Sequence, residues 1–432
     1  MPRRPNILFF LPDQHRFDWT GFNPDVPVRT PTLDRLADRG VRFRDCITPS
    51  PLCAPARACL ANGHDIFHCG VADNGQNLPL SMPTYYQRLR DVGYRVAGVG
   101  KFDLHKPERD WGLDGSRLLD EWGFTEGIDN EGKLDAVGSG AETPMGPYMK
   151  YLHDKGLAAA HVEDFRSRDN SRSTFPTPLP EEAYCDNWIA DNGIRFLQSF
   201  PAETPWHLVV NFTGPHNPMD VTERMKQLYD GVSFPPPHHN TEEMSPDQHQ
   251  EVRRNYSAMV ENIDRQMARM IDMVAKRGEL DNTLVVFCSD HGEMLGDHQM
   301  WGKSTWRHPS VCVPMVVAGP GVAEGGVSEA VVQLHDVAGT ILDWADAEPL
   351  PGTDGWSMRA VLEDPEEDHR EMAFSALWDW EMAWDGRFKL VVEKDQPDRL
   401  YDLETDPHED TNLAESQPRI VTRMKAVLEE VK

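Results

Sequence analysis

A cysteine stands in an unusual sequence setting at residues 50–57, Ser-Pro-Leu-Cys-Ala-Pro-Ala-Arg. Pro55 fits the first turn of a helix, so Cys53 would lie at a helix N-terminus, where unpaired N–H groups and the helix dipole favour an anion. Arg57, one turn further on, can reach the same side and bind an oxyanion with its forked donors. The sequence therefore predicts an anion site or a nucleophilic thiolate here. The alternative is a packed cysteine beside a helix-starting proline.

Polar side chains also follow four apolar runs, at residues 6–11, 94–100, 206–212 and 282–288. The residues concerned are, in the same order, Asp13 with Gln14, Lys101, His216, and Asp290 with His291. Ligands of open α/β sheets bind at the carboxyl ends of the strands, so we expect these groups to converge. Asp13, Gln14, Asp290 and His291 offer mainly oxygen donors, which suit Ca²⁺, Mg²⁺ or Mn²⁺. Alternatively, each aspartate is a helix cap or a turn former.

The elements that must position these groups form an α/β pattern. Short continuous apolar runs, including one at 312–319, alternate with helical patterns at 31–40, 83–93 and 252–278, as is typical of a buried parallel sheet. Residues 378–393 alternate around an Asp-Gly turn, which predicts a β-hairpin.

The segment 102–182 is rich in Gly, Asp, Pro and Ser and has weak periodicity, so we expect loops over the mouth of the site. Four aromatic side chains in it could stack on a substrate ring or fasten the loops to the body; they are Trp111, Trp122, Tyr148 and Tyr151.

Bulk properties exclude several classes of protein. The chain has 432 residues and a formal net charge of -28, which disfavours nucleic acid or an anionic membrane as a partner. The sequence has no apolar stretch near the roughly 20 residues of a membrane span, and the N-terminal apolar run lacks a cleavage site, so a cytoplasmic location is expected. Seven cysteines without a CxxC pair argue against a disulfide framework and a structural zinc site.

Together these stretches resemble the type I, formylglycine-dependent sulfatase family of the alkaline phosphatase superfamily. Residues 53–57 are similar to its signature Cys-x-Pro-Ser/Ala-Arg, and further similar stretches follow in the family's order at 5–16, 29–43, 93–101, 214–218, 289–303 and 399–414. The resemblance implies an α/β fold with a large, mixed, mostly parallel sheet flanked by helices. It also implies a small C-terminal α+β domain, with domains at 1–350 and 351–432, the second with a small antiparallel sheet and a terminal helix.

The resemblance also implies a site. Cys53 would be oxidised to Cα-formylglycine by the formylglycine-generating enzyme, and its hydrate would attack sulfur. The implied metal ligands are Asp13, Gln14, modified residue 53, Asp290 and His291, usually with Ca²⁺ and alternatively with Mn²⁺ or Mg²⁺. The implied catalytic residues are Cys53, Arg57, Lys101, His105, His216 and Lys303, with His216 or Lys303 protonating the leaving oxygen.

Some residues depart from the family pattern. Asp103 stands where many sulfatases have a histidine, and His105 follows two residues later; we expect His105 to serve as the base, with Asp103 as the alternative. His308 is a candidate pocket residue. Asn62-Gly63 replaces Thr-Gly, and Ala56 replaces the commoner Ser, which could slow maturation.

The expected function is hydrolysis of a small aryl, alkyl or sugar sulfate monoester. A phosphonate monoester or phosphodiester hydrolase is the first alternative, because Asp13-Gln14 replaces Asp-Asp at the metal site as in some related hydrolases. A non-catalytic anion-binding protein with unmodified Cys53 is the second. The oligomeric state is left open, a homo-oligomer included.

Overall fold

The computed structural model describes residues 4–169, 172–239 and 244–432. Within them, the main sheet has nine strands: β1 (Asn6–Asp13), β2 (Gly40–Ile47), β3 (Arg95–Gly100), β4 (Glu126–Asp129), β5 (Trp206–Pro215), β6 (Thr283–Cys288), β7 (Cys312–Ala318), β8 (Gly326–Ser328) and β9 (Val332–Gln333). Their order is β4-β3-β5-β1-β6-β7-β2-β8, and β9 pairs with β2. The first five strands in this order, β4, β3, β5, β1 and β6, are mutually parallel. β7 runs antiparallel to both of its neighbours, β6 and β2. The predicted mixed, mostly parallel sheet is confirmed.

Helices cover both faces of this sheet. In chain order they are α1 (Pro31–Asp38), α2 (Cys53–Asn62), α3 (Tyr85–Asp91), α4 (Leu134–Gly140), α5 (Pro147–Asp154), α6 (Ala158–Ser167), α7 (Cys185–Ser199), α8 (Glu223–Gln227), α9 (Pro246–Lys276), α10 (His308–Val311), α11 (Asp336–Trp344), α12 (Arg359–Glu363) and α13 (Pro418–Glu430). Side chains alternate along β1, so Phe9 packs with α2, α3 and α11, while Phe10 packs on the other face with α1, α7 and α9. Both faces of β1 are therefore buried, as its continuous apolar run predicts.

A second sheet lies near the C-terminal end. It contains β10 (Ala373–Leu377), β11 (Trp380–Trp384), β12 (Phe388–Glu393) and β13 (Arg399–Asp402), all antiparallel, and α13 packs on it. The predicted hairpin is confirmed as β11 and β12. The domain division at residue 350 stays a prediction.

The loop prediction for 102–182 was wrong for much of the segment, which contains β4, α4, α5 and α6. The helices are only 7–10 residues long, so their apolar periodicity is too short to detect, yet they bury residues such as Leu152 and Val162. Trp111, Trp122 and Tyr148 are at most 1% exposed, so they fasten the segment to the body and cannot stack on a substrate. Tyr151 is half-buried, and its hydroxyl donates to the Glu182 carbonyl (3.3 Å).

All seven cysteines are buried and free. No described helix combines the length and apolar character that crossing a bilayer requires.

Candidate active site

Two adjacent parallel strands bring the predicted acidic residues together. β1 ends at Asp13, and Asp290 and His291 follow β6. Because β1 pairs with β6 in parallel, their carboxyl ends meet at one edge of the sheet. The contact is direct, since the Gln14 backbone N–H donates to Asp290 Oδ1 (3.0 Å). Cys53 is the first residue of α2 and meets this edge.

The buried donors at this edge form a compact cluster. One ligand atom from each of Asp13, Cys53, Asp290 and His291 lies within 4.8 Å of the others. His291 Nε2 lies 3.5 Å from Asp13 Oδ1 and 3.6 Å from Asp290 Oδ2. His291 Nδ1 lies 3.2 Å from the Gly292 carbonyl oxygen, which holds the proton on Nδ1 and leaves the Nε2 lone pair facing the cluster.

Gln14 supplies an independent sign of a cation. Its side-chain Nε2 donates to Glu293, whereas Oε1 is buried and has no hydrogen-bond partner among the residues that the structure describes. Leaving a buried amide oxygen unpaired costs on the order of 1–3 kcal/mol. A cation bound to Oε1 would remove that cost, so the predicted ligand set fits a divalent ion that accepts oxygen donors.

Cationic side chains surround the Cys53 sulfur. Lys303 Nζ lies 3.1 Å from Cys53 Sγ, and Lys101 Nζ contacts the Asp13 carboxylate. Arg57 Nε donates to Asp290 Oδ2 (2.9 Å). Burial and the Asp13 carboxylate would raise the pKa of the thiol, but Lys101, Lys303 and His291 outweigh them and hold that pKa well below its usual value. The position therefore favours a negatively charged group.

These residues open onto a pocket of about 220 Å³. Its lining comprises Cys53, Asn74, Lys101, Lys106, Glu131, Gly132, Lys133, Leu134, Asp135, Thr213, His216, Asn217 and Lys303. Of the predicted catalytic residues, Cys53, Lys101, His216 and Lys303 thus share one pocket. Arg57 lies behind it, where it holds Asp290.

The geometry agrees with the comparisons with known proteins. Residues 5–347 match the family model for sulfatases, and residues 296–432 match the model for the C-terminal part of N-sulphoglucosamine sulphohydrolase. The chain belongs to the sulfatase family. It is therefore a hydrolase of the alkaline phosphatase superfamily, as its motifs predict.

Relatives of this sulfatase align over most of its length. The choline-sulfatase of Rhizobium meliloti (strain 1021) is 28% identical over 456 residues, covering 96% of this chain and 83% of the relative. The arylsulfatase of Clostridium perfringens (strain 13 / Type A) is 25% identical, covering 96% of this chain and 91% of the relative. The crystal structure of the phosphonate monoester hydrolase of Agrobacterium radiobacter superposes with a TM-score of 0.83 at 24% identity, covering 99% of this chain and 95% of that one, and so shares the fold.

His105 does not reach the sulfatase pocket. Its Nδ1 lies 3.4 Å from Asp129 Oδ2, its Nε2 lies 3.1 Å from the Asp110 carbonyl oxygen, and its ring packs against Trp122. This packing directs the imidazole into the interior, and burial lowers its pKa. The placement contradicts the expectation that His105 is the catalytic base.

Asp103, the alternative to His105, contacts two lysines that line the pocket. Its Oδ2 lies 3.0 Å from Lys101 Nζ and 2.8 Å from Lys106 Nζ. His308 was expected to line the pocket but lies elsewhere. Its Nε2 lies 2.9 Å from Asp45 Oδ1, and its ring lines a different cavity.

Sequence reasoning missed the pocket wall formed by Lys106, Glu131, Lys133 and Asp135. Lys133 Nζ bonds Asp220 Oδ1 (2.6 Å) and the His216 carbonyl oxygen (3.1 Å). Glu131 accepts the Met149 backbone N–H at the start of α5 (2.8 Å), and burial raises the pKa of its carboxyl to about 7. Asn130 and Glu131 directly follow β4, as other site residues follow their strands, but the sequence gives no sign of β4, so no signal marked them.

Proposed function

We propose that this sulfatase hydrolyses a sulfate monoester with a Cα-formylglycine made from Cys53. In this proposal a divalent cation is bound by Asp13, Gln14, Asp290, His291 and modified residue 53, with Ca²⁺ as the first choice and Mn²⁺ or Mg²⁺ as alternatives. The supporting observation is the position of the Cys53 side chain, between His291 Nε2 (3.3 Å) and Lys303 Nζ (3.1 Å) at the start of a helix. Maturation by the formylglycine-generating enzyme and a cytoplasmic location stay predictions.

Binding of the ester depends on fixed charges of this chain. Lys101 and Lys303 line the same pocket as residue 53, where they can donate to the oxygens of a tetrahedral anion. When present, the cation and the hydrated formylglycine supply an acidified hydroxyl nucleophile in place of the thiol. Arg57 holds the Asp290 carboxylate from behind, and Asp103 holds Lys101.

Proton transfer is assigned from hydrogen-bond geometry. His216 Nδ1 lies 2.6 Å from the Asn217 carbonyl oxygen, so its proton is engaged there and Nε2 is an acceptor. A lysine ammonium has donors only. We therefore assign protonation of the leaving alcohol to Lys303 and acceptance of a proton to His216.

The pocket wall indicates the class of alcohol. Lys106, Glu131, Lys133 and Asp135 place charges of both signs around a small volume, and three of the aromatic side chains predicted to stack are buried elsewhere. A small sulfate ester of a polar alcohol, such as a sugar or a charged alkyl alcohol, fits this wall better than an aryl ester.

The test combines mass spectrometry with a substrate comparison. The protein is made with and without a formylglycine-generating enzyme, and the peptide spanning residues 50–63 is examined for conversion of the thiol to the aldehyde. Turnover of 4-nitrophenyl sulfate, a 4-nitrophenyl phosphonate monoester and bis(4-nitrophenyl) phosphate is then measured, with Cys53→Ala as the control.

Sulfate turnover in proportion to the converted fraction, absent from Cys53→Ala, is the expected result. Faster turnover of the phosphonate or the diester would favour a phosphonate monoester or phosphodiester hydrolase, the alternative that the Asp13-Gln14 pair supports. An unconverted thiol and no turnover after co-expression would contradict catalysis by this route and favour a non-catalytic anion-binding protein.

A further inference from the structure

A second group of potential metal ligands lies at the opposite end of α2 from Cys53. The group consists of His64, His68 and Asp354, and is called here the distal cluster. Gly63 caps the C-terminal end of α2, and its carbonyl oxygen accepts hydrogen bonds from Thr353 Oγ1 (2.6 Å) and from two backbone N–H groups of the loop 353–355. The distal cluster thus joins two segments that are already fastened together, which gives it a fixed backbone frame.

The ligand atoms of the distal cluster converge on one point. His64 Nδ1 lies 3.2 Å from Asp354 Oδ2, and His68 Nδ1 lies 2.9 Å from the same oxygen. A tetrahedral ion with bonds of about 2.0–2.1 Å holds its ligand atoms roughly 3.3 Å apart. Both imidazole-to-carboxylate separations are therefore close to the spacing that such an ion requires, and all three ligand atoms lie within 4.8 Å of one another.

Hydrogen bonding alone satisfies this arrangement poorly. Asp354 Oδ2 also accepts the Asp65 backbone N–H (3.0 Å). A carboxylate oxygen has about two lone-pair sites. The Asp65 N–H occupies one site and an N–H from one imidazole can occupy the other, so the second imidazole has no lone pair of this oxygen left to accept its proton. A cation at the centre resolves the conflict, because both Nδ1 atoms then supply lone pairs instead of protons.

The surroundings suit a cation. A cavity of about 650 Å³ adjoins the distal cluster and is lined by His68 and Asp354 together with the acidic Asp65, Glu371 and Glu430. Arg370 and Lys432 also line it, but their charges are offset, because Arg370 pairs with the fully buried Asp336 and Lys432 pairs with Glu381 and Glu429. The side chains of His64, His68 and Asp354 are 12%, 42% and 31% exposed, so an ion can reach them from solvent.

We propose that His64, His68 and Asp354 form a second metal site, which binds a first-row transition ion of the zinc type. Two imidazoles and one carboxylate favour Zn²⁺ and its neighbours over Ca²⁺ or Mg²⁺, and three protein ligands leave one position open towards the cavity. The site shares no ligand with the catalytic cluster, and the ten residues of α2 separate the two by about 15 Å. The His-x₃-His spacing at 64–68 was the overlooked sequence signal.

The test counts zinc on the folded protein with the catalytic site kept filled. Protein stripped with a chelator is dialysed into excess Ca²⁺, and binding of Zn²⁺ is titrated by calorimetry for the wild type and for His64→Ala/His68→Ala. The matched control is His238→Ala/His239→Ala, which removes two other histidines that contact one aspartate, Asp410. We expect the wild type and the control to bind one more equivalent than His64→Ala/His68→Ala.

A second measurement uses no variant and covers the case of a misfolded double mutant. Diethyl pyrocarbonate labels accessible imidazoles, and peptide mass spectrometry reports labelling of His64 and His68 with and without Zn²⁺. Protection of these two residues by Zn²⁺ is expected. The proposal is overturned by equal zinc stoichiometry in all three proteins, by loss of the equivalent in the His238/His239 control instead, or by labelling that Zn²⁺ does not change.

Discussion

Arg57 holds several buried groups at once, so its removal is a severe test of the site. Its side chain is 3% exposed; Nε donates to Asp290 Oδ2 (2.9 Å), Nη1 donates to Asn211 Oδ1 (3.2 Å), and Nη2 lies 3.5 Å from Asp13 Oδ2. Arg57→Ala leaves two buried carboxylates without this partner. Asp13 keeps its contact with Lys101, whereas Asp290 loses its guanidinium.

The magnitude follows from these contacts. Removing one partner of a buried ion pair costs about 3–5 kcal/mol, a large share of the roughly 5–15 kcal/mol by which proteins are stable. For 432 residues, an unfolding entropy of about 2.1 cal/mol/K per residue converts this cost into a fall in Tm of about 3 to 6 °C. The control is Arg29→Ala, whose side chain is 47% exposed and pairs with Glu261; a surface pair contributes at most about 1 kcal/mol, so Tm should fall by about 1 °C.

Turnover should fall more steeply than stability. Arg57 fixes Asp290, and misplacing a positioned charge in an active site lowers kcat by about 100-fold or more. Arg57 also belongs to the motif whose cysteine is expected to be modified, so its removal can lower the conversion of residue 53 as well as catalysis. Turnover is therefore expressed per molecule in which residue 53 has been converted to the aldehyde. Arg57→Lys keeps one charge but lacks the planar fork, so we expect partial recovery of Tm and little recovery of turnover.

Wild-type turnover per converted molecule in Arg57→Ala would refute this reasoning. So would a Tm equal to that of the Arg29→Ala control, because it would mean that Asp290 does not depend on the guanidinium.

Four further outcomes are expected. Lys303→Met should lower kcat by about 10²–10⁴-fold, with a larger loss for alcohols of higher pKa, and an equal loss for all leaving groups would show that Lys303 is not the proton donor. Exhaustive chelation should abolish activity and Ca²⁺ should restore it; activity that survives chelation would contradict the cation. His105→Asn should leave the pH profile of kcat/KM unchanged, since its ring faces away from the pocket, and loss of a limb of that profile would restore it as a base. Burial lowers the pKa of the His207 imidazole to about 3, so between about pH 6.5 and 3 the unfolded chain binds a proton there that the folded chain does not, and the free energy of unfolding falls as pH falls. Urea midpoints from pH 7.5 to 4.5 should show this, and His207→Phe should reduce the slope by about 1.4 kcal/mol per pH unit.

The sequence was most informative where one short pattern determines a position. β1 and β6 are continuous apolar runs, so their ends could be located, and with them Asp13 and Asp290. Pro55 and Gly63 mark the two ends of α2, and Gly63 adopts a positive φ of 69° as helix-ending glycines do. The family resemblance added the roles of Lys101 and Lys303, which no local pattern contains.

The errors arise where tertiary packing decides. His105 was assigned from the ordinary pKa of histidine and from its position two residues after Asp103, but the rings of Trp111 and Trp122 and the Asp129 carboxylate direct its imidazole inward. The spacing of these partners from residue 105 matches neither the period of a helix nor that of a strand, so no sequence pattern indicated the contacts. Likewise, β4 is recognisable only by its pairing with β3, which the sequence of 126–129 does not reveal.

The residues proposed to react and the residues that surround the alcohol come from different parts of the fold. All ten residues of α2 are buried, and four of them are alanines, so the helix packs closely on every side and residue 53 is held by the core of the fold. The pocket wall comes instead from the segment 102–182, whose stretches before and after β4 place Lys106, Glu131 and Lys133 around the opening. Substitutions in that wall should therefore change which alcohol is accepted while leaving Tm and the conversion of Cys53 largely intact, whereas substitutions in α2 should damage both. Since strand ends can be located from sequence and irregular walls cannot, the reaction class of this chain could be predicted from its sequence and the identity of its alcohol could not.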